Sequence, residues 1–298
     1  MRVALVINAT AGAAGLPPND IRERFAKAGI EVAVEPDETL PLSDRLSAAA
    51  ALPGVEALVV GGGDGTIACA AGVMIGQGLP LGVLPLGTMN LLAKDLGLPL
   101  DLDEAIATIS SGETRRIDVG DVNGHSFLIN SVLGMPARVA RHREALRGGF
   151  DPRLALRWVV SAIRHLQRYP KLSVTGTTDG VERRLRFRLL AVVNNDYVEA
   201  PGRILVRDTL DGGQLTLYVL ARLSVSRSLR LALGLALGDW RRLPGIERHD
   251  VTELTIAARC RALRVMNDGE VRVLPSPLRY TVKRRALAVI LPRDGKPR

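Results

Sequence analysis

The sequence predicts an α/β plus all-β chain: a doubly wound parallel α/β domain followed by an antiparallel, β-sandwich-like domain. Three observations carry that prediction. Up to about residue 120, apolar runs alternate with helix-patterned stretches, the order that builds a parallel sheet covered by helices. From about residue 116 the texture changes to many short β-rich runs bounded by Gly, Asn and Asp, as antiparallel sheets require. With 298 residues, 47% of them hydrophobic, the chain can bury two cores. The expected domains span residues 1–118 and 119–298, with a return of the last strand to the first domain left open.

In the first domain the expected order is strand 3–7, helix 20–28, strand 31–34, helix 42–51, strand 57–60, helix 67–75, strand 81–84, helix 90–96 and helix 102–109. Its strands are short continuous apolar runs such as VALVI and ALVV, the pattern of strands buried on both faces. In the second domain, strands are expected over 114–119, 126–131, 171–175, 184–194, 214–220, 250–256, 262–267, 271–274, 279–283 and 286–291. Two basic helical stretches interrupt them. In the first, Arg153, Arg157, Arg164 and Arg168 share an arc apart from Leu156, Val159, Val160, Ile163 and Leu166. In the second, Val225, Leu229, Leu233, Leu237 and Trp240 form a stripe flanked by Arg222, Arg227, Arg230, Arg241 and Arg242. Each stretch reads either as a helix packed on its own domain with a solvated basic face, or as a surface for anionic lipid headgroups.

Lys plus Arg exceed Asp plus Glu by 40 to 31, a net charge of +9 that favours anionic partners. Only 3% of residues are aromatic, too few for the stacking platforms of single-strand binders, so no nucleic-acid partner is expected. Cys69 and Cys260 lie far apart and form no metal or redox motif, which fits a reduced, cytoplasmic compartment. No run of 18 uncharged apolar residues occurs, so no transmembrane helix is expected. Peripheral attachment to the inner membrane face and dimerisation stay open. There is no GxSxG, no HExxH and no Walker A lysine, and His125, His142, His165 and His249 lack ligand spacing.

The stretch LVVGGGDGTIACAAG, residues 58–72, reads as strand, tight turn and helix, a geometry that aims N–H groups at an anion. Asp64 sits in its centre, where a bare carboxylate would repel phosphate, so a cation between the two makes best sense of it. Gly63, Gly65 and Ala68 satisfy a dinucleotide-type spacing, yet residues 67–93 contain no acid to hold a ribose. A second turn, LGVLPLGTMNLLAKDLGLP, has a helix starting near Thr88, whose hydroxyl reads as an N-cap or as a ligand contact. VMNDGEVRV and TLDGGQLTL both read as hairpins, so Asp268 and Asp211 can be simple turn aspartates.

Taken together, GGDGT (residues 62–66), LGTMN (86–90), INATAG (7–12), DGGQL (211–215) and MNDGE (266–270) resemble the catalytic domain shared by diacylglycerol kinases, sphingosine kinases and bacterial lipid kinases, distant relatives of NAD kinases. The resemblance implies an ATP- and Mg2+-dependent kinase that phosphorylates a lipid hydroxyl, in lipid metabolism or phospholipid biosynthesis. Gly62, Gly63, Asp64, Gly65, Thr66, Ile67 and Ala68 resemble its phosphate loop, with Asn8, Thr10, Thr88 and Glu270 as further nucleotide contacts. Asp268 resembles its general base, and Asp211, with carbonyls of Asp208 and Gly213, its magnesium site. Three positions depart from the pattern: Ala9 where the family has Pro, Leu91 where it has Asp, and Pro136 where it has Asp after Gly134. Asp95, one helical turn beyond Leu91, could substitute in part for the missing acid. A soluble acceptor, as in NAD kinases, and a catalytically silent nucleotide- or lipid-binding protein are the alternatives.

Overall fold

A computed structural model describes residues 1–8, 18–33, 39–88, 90–134, 172–178, 181–199, 206–220, 230, 233–234, 237–240 and 245–293. In chain order the elements begin β1 (Arg2–Ile7), α1 (Pro18–Lys27), β2 (Glu31–Val32), α2 (Leu42–Ala50), β3 (Ala57–Gly62) and α3 (Asp64–Met74). Next come β4 (Leu81–Pro85), α4 (Leu91–Asp95), α5 (Leu102–Ser111), β5 (Glu113–Val122), β6 (His125–Phe127) and β7 (Asn130–Leu133). The second half adds β8 (Leu172–Thr178), β9 (Val181–Phe187), β10 (Leu189–Asn194), β11 (Leu215–Leu220) and β12 (Ile246–Val251). It closes with β13 (Glu253–Ala258), β14 (Ala262–Asn267), β15 (Glu270–Pro275) and β16 (Leu278–Leu291).

The chain divides into two compact units, one of residues 1–119, 209–212 and 283–298, the other of residues 120–208 and 213–282. In the first, β2, β1, β3 and β4 lie side by side and parallel, and the end of β16 joins β4 at Val289↔Leu81. Val3, Leu5, Val59 and Leu84 pack with Ile21 and Phe25 of α1 and with Ile106 and Ile109 of α5. Helices on both faces explain why β3 is buried at every position and reads as an unbroken apolar run.

The second unit is a sandwich. One sheet runs β12-β11-β10-β7-β14-β15, antiparallel throughout. The other pairs the start of β16 with β13, β13 with β8, and β8 with β9. Inward residues of both sheets, among them Val192, Leu217, Val265, Ile256, Phe187 and Tyr280, share one core.

Several expected strands are divided differently. The run 250–256 is two strands, β12 and β13, in different sheets with Thr252 between them. The run 184–194 breaks at Arg188, whose N–H turns to Leu220 O, and 126–131 splits into β6 and β7. Conversely, 279–283 and 286–291 are one strand, continuous through Arg285 at φ 49, because its N–H donates to Asp118 Oδ1 at 2.8 Å. The 209–212 segment sits with the first unit, which a single cut at 118 does not provide. The first basic stretch, residues 153–168, lies outside the described residues. In the second, Leu233 and Leu237 are 59% and 62% exposed while Trp240 is buried, so the expected stripe does not bury as one face.

Candidate active site

Three strands of the first unit end level with one another. The registers Ile7↔Gly61 and Gly62↔Pro85 align the carboxyl ends of β1, β3 and β4, and ligands of open parallel sheets bind just beyond such ends. Asn8 follows β1 directly. Its N–H donates to Gly61 O at 2.9 Å, and its Nδ2 donates to Thr66 Oγ1 at 3.0 Å. Gly63 is the N-cap of α3 and supplies no side-chain acceptor, so the first-turn N–H groups have no partner within the helix, the arrangement that suits an anion.

The second turn lies against the first. A Cβ at Gly87 would stand 2.6 Å from Gly63 Cα, and one at Gly62 would stand 2.7 Å from the Thr66 side chain. Only glycine permits that approach. Asn90, left-handed at φ 48, clamps the turn: its Oδ1 accepts the Gly87 N–H at 2.9 Å and its Nδ2 donates to Pro85 O at 3.0 Å. Asp64 then bridges the turns, its Oδ1 accepting the Leu92 N–H of α4 at 3.1 Å. A carboxylate in the phosphate-type turn therefore caps a neighbouring helix, where negative charge suits the helix end. Arg45 of α2 adds a buried cation, with Nη2 donating to Ile7 O at 3.2 Å and Nε lacking a hydrogen-bond partner.

Of the predicted nucleotide residues, Asn8, Gly62, Gly63, Asp64, Gly65 and Thr66 come together here, with Ala68 half-buried in the following helical turn. Ile67 buries its side chain, and its N–H donates to Gly63 O at 3.1 Å. Thr88 is exposed and is not the cap of α4; that position is Asn90, which tolerates the left-handed backbone. Asp95, read as a partial substitute for the missing acid, is buried in α4 at 1% exposure. Thr10 and Pro136 lie outside the described residues.

In the second unit, Asp268 occupies the β14–β15 turn at φ 46, with its N–H on Asn130 O at 2.9 Å. Its Oδ2 accepts the Leu128 N–H at 2.6 Å, and its Oδ1 accepts those of Ile129 and Asn130, each at 2.9 Å. A carboxylate offers roughly four lone-pair positions; three are taken, which leaves one on Oδ2. Burial pushes the carboxyl above the usual carboxylate range, against the pull of the three amide donors and of Arg207. Asn130 Nδ2 donates to Tyr197 Oη at 2.8 Å, and Arg207, wholly buried, donates to Leu128 O at 2.9 Å. Glu270 is exposed and pairs with Arg272 at 3.0 Å.

Asp211 belongs to the first unit, whereas Asp208 and Gly213 belong to the second. The Asp211 carboxylate accepts from Thr209 Oγ1 at 3.1 Å and lies 3.5 Å from Arg285 Nη2. Among the described residues no three His, Cys, Asp or Glu side chains gather as a metal site.

Residues 2–122 match the diacylglycerol kinase catalytic domain, and residues 130–291 match the YegS C-terminal NAD kinase beta sandwich-like domain. The chain belongs to this kinase family. Among its relatives, a diacylglycerol kinase of Mycobacterium tuberculosis is 29% identical over 84% of this chain and 82% of its own length. A protein of Citrobacter koseri named probable lipid kinase YegS-like is 34% identical over 44% of each chain. A crystal structure of a diacylglycerol kinase from Bacillus anthracis shares the fold with a TM-score of 0.69, at 19% identity over 97% of this chain and 96% of its own. Family membership makes this a kinase fold with lipid kinases among its relatives.

Sequence reasoning singled out neither Asn90 as a clamp nor Arg45, Arg207 and the amides of residues 128–130. Asn90 had a usable signal, since an Asn shortly after a Gly turn favours the left-handed region. Arg45 and Arg207 had none, because an isolated Arg in a mixed run reads as surface.

Proposed function

We propose that the protein is an ATP- and Mg2+-dependent kinase of a lipid hydroxyl, diacylglycerol or a related long-chain alcohol. The observation that supports this best is the meeting of the Asn8, Gly62–Thr66 and Gly87 turns beside an uncapped α3 N-terminus and the buried Arg45. Open amides, a fixed cation and space kept free of Cβ atoms suit a chain of phosphates. A Mg2+ ion fits the donor set: Asp64 beside the amides is a hard oxygen ligand, and magnesium is ordinarily held by one or two carboxylates, phosphate oxygens and water. When bound, Mg2+ offsets phosphate charge.

Asp268 takes the proton of the acceptor hydroxyl on its remaining Oδ2 position. The hydroxyl oxygen bonds to the γ-phosphorus, the bond from that phosphorus to the bridging oxygen breaks, and ADP leaves with the electron pair. Base assistance of this kind contributes about 10²–10⁴ in rate. Among the described residues no helix is long and apolar enough to cross a membrane; the reading places the acceptor hydroxyl at a membrane surface. Exposed Leu233 and Leu237 near Arg230 support such a surface contact.

The test offers γ-labelled ATP and a total lipid extract to wild type and to Asp268→Asn, with magnesium present or chelated. A labelled lipid made by wild type, lost on chelation and reduced at least a hundredfold in the variant, is expected. Label in a water-soluble product would favour a soluble acceptor. Nucleotide binding without any labelled product would favour a silent binding protein.

A further inference from the structure

We infer that Arg207 is a positioning residue for Asp268, acting through the peptide that joins Leu128 to Ile129. The inference rests on the kinase reading above, in which Asp268 is the base. Arg207 Nη1 donates to Leu128 O at 2.9 Å and, more weakly, to Asn194 O at 3.4 Å. Asn194 Nδ2 donates to the same Leu128 O at 2.9 Å. That carbonyl belongs to the peptide whose N–H is on Ile129, and this N–H donates to Asp268 Oδ1 at 2.9 Å. A cation and an amide act on the oxygen end of the peptide, and a carboxylate acts on its N–H end. All three polarise it in one sense, so each hydrogen bond strengthens the next.

The chemistry requires such a device. A base must be ionised before it can accept a hydroxyl proton, yet burial of Asp268 favours the protonated form. Burying a guanidinium is costly unless its charge serves a partner, and Asp268 is a carboxylate on which Arg207 acts. The other polar and charged neighbours do not replace it. Tyr197 accepts from the Asn130 side-chain Nδ2, whereas it is the Asn130 backbone N–H that donates to Asp268, and Glu270 and Arg272, on the exposed strand, pair with each other. Arg207 thus fixes the amide cradle and sustains the charge of the group it holds.

The experiment compares wild type, Arg207→Met and Arg207→Lys by the pH profile of kcat/KM and by carbon NMR titration of the Asp268 carboxyl, assigned by its loss in Asp268→Asn. In Arg207→Met both the acid limb and the carboxyl titration are expected to rise by about one pH unit or more, with KM for ATP unchanged; Lys restores most of the shift. Should the Met variant not fold, Arg207→Gln keeps a donor for Leu128 O, removes the charge, and is read in the same way. An acid limb and a titration that stay at their wild-type positions in a folded neutral variant overturn the inference. If wild type phosphorylates no acceptor, the kinase reading falls, while the carboxyl titration still decides whether Arg207 acts on Asp268.

Discussion

Three amide donors and Arg207 favour the ionised form of Asp268 while burial opposes it, and burial prevails. A carboxyl raised in the folded state contributes stability that is fully present below the ordinary carboxylate value and is lost as pH rises through the folded value. Urea unfolding of wild type and Asp268→Asn, from about pH 3 to about pH 8, should therefore show a stability difference that moves against wild type as pH climbs. A difference that does not change with pH would contradict the raised value. Gly87 makes a different residue-scale prediction. Its Cβ position lies 2.6 Å from the Gly63 backbone and 2.8 Å from Asn90 Oδ1, and backbone cannot swing aside as a side-chain tip can. Gly87→Ala should cost about 1–3 kcal/mol and weaken nucleotide binding, measured by thermal melts with and without ATP; a melt and an ATP-induced shift equal to wild type would mean that the turns are not in contact.

Among the elements, α5 owes its start to Asp101, whose carboxylate accepts the N–H groups of Asp103 at 2.9 Å and Glu104 at 3.1 Å. Asp101→Ala should lower stability by about 1 kcal/mol in urea titration, without changing the kinetics of the distant turns. α5 is a well-read element: the DLDEAIATIS pattern places Ala105, Ile106 and Ile109 on one buried face, and a local signal of that kind survives folding. β1, β3 and β4 were legible for a similar reason, being buried on both sides. The errors fall where pairing partners decide. Nothing local tells that β12 and β13 join different sheets across Thr252, or that Arg285 adopts φ 49 because a distant Asp118 accepts its N–H. The same limit applies to the site. Glycines and Asp64 announce an anion-binding turn, whereas Arg207 is recognisable only once Leu128, Asn194 and Asp268 are assembled around it.

At the scale of the whole molecule, the resemblance read from short motifs agrees with two family domains that together cover residues 2–122 and 130–291. Each unit keeps its own core, with the glycine turns in the first and the amide-cradled Asp268 carboxylate in the second. The first unit is nevertheless not a continuous stretch of chain, since residues 283–293 supply the strand beside β4. During synthesis on the ribosome, the edge of β4 must wait for most of the polypeptide to be made before its neighbour exists. A nascent chain halted after α5 would carry a bare apolar margin, the kind of surface that chaperones shield and that drives premature association.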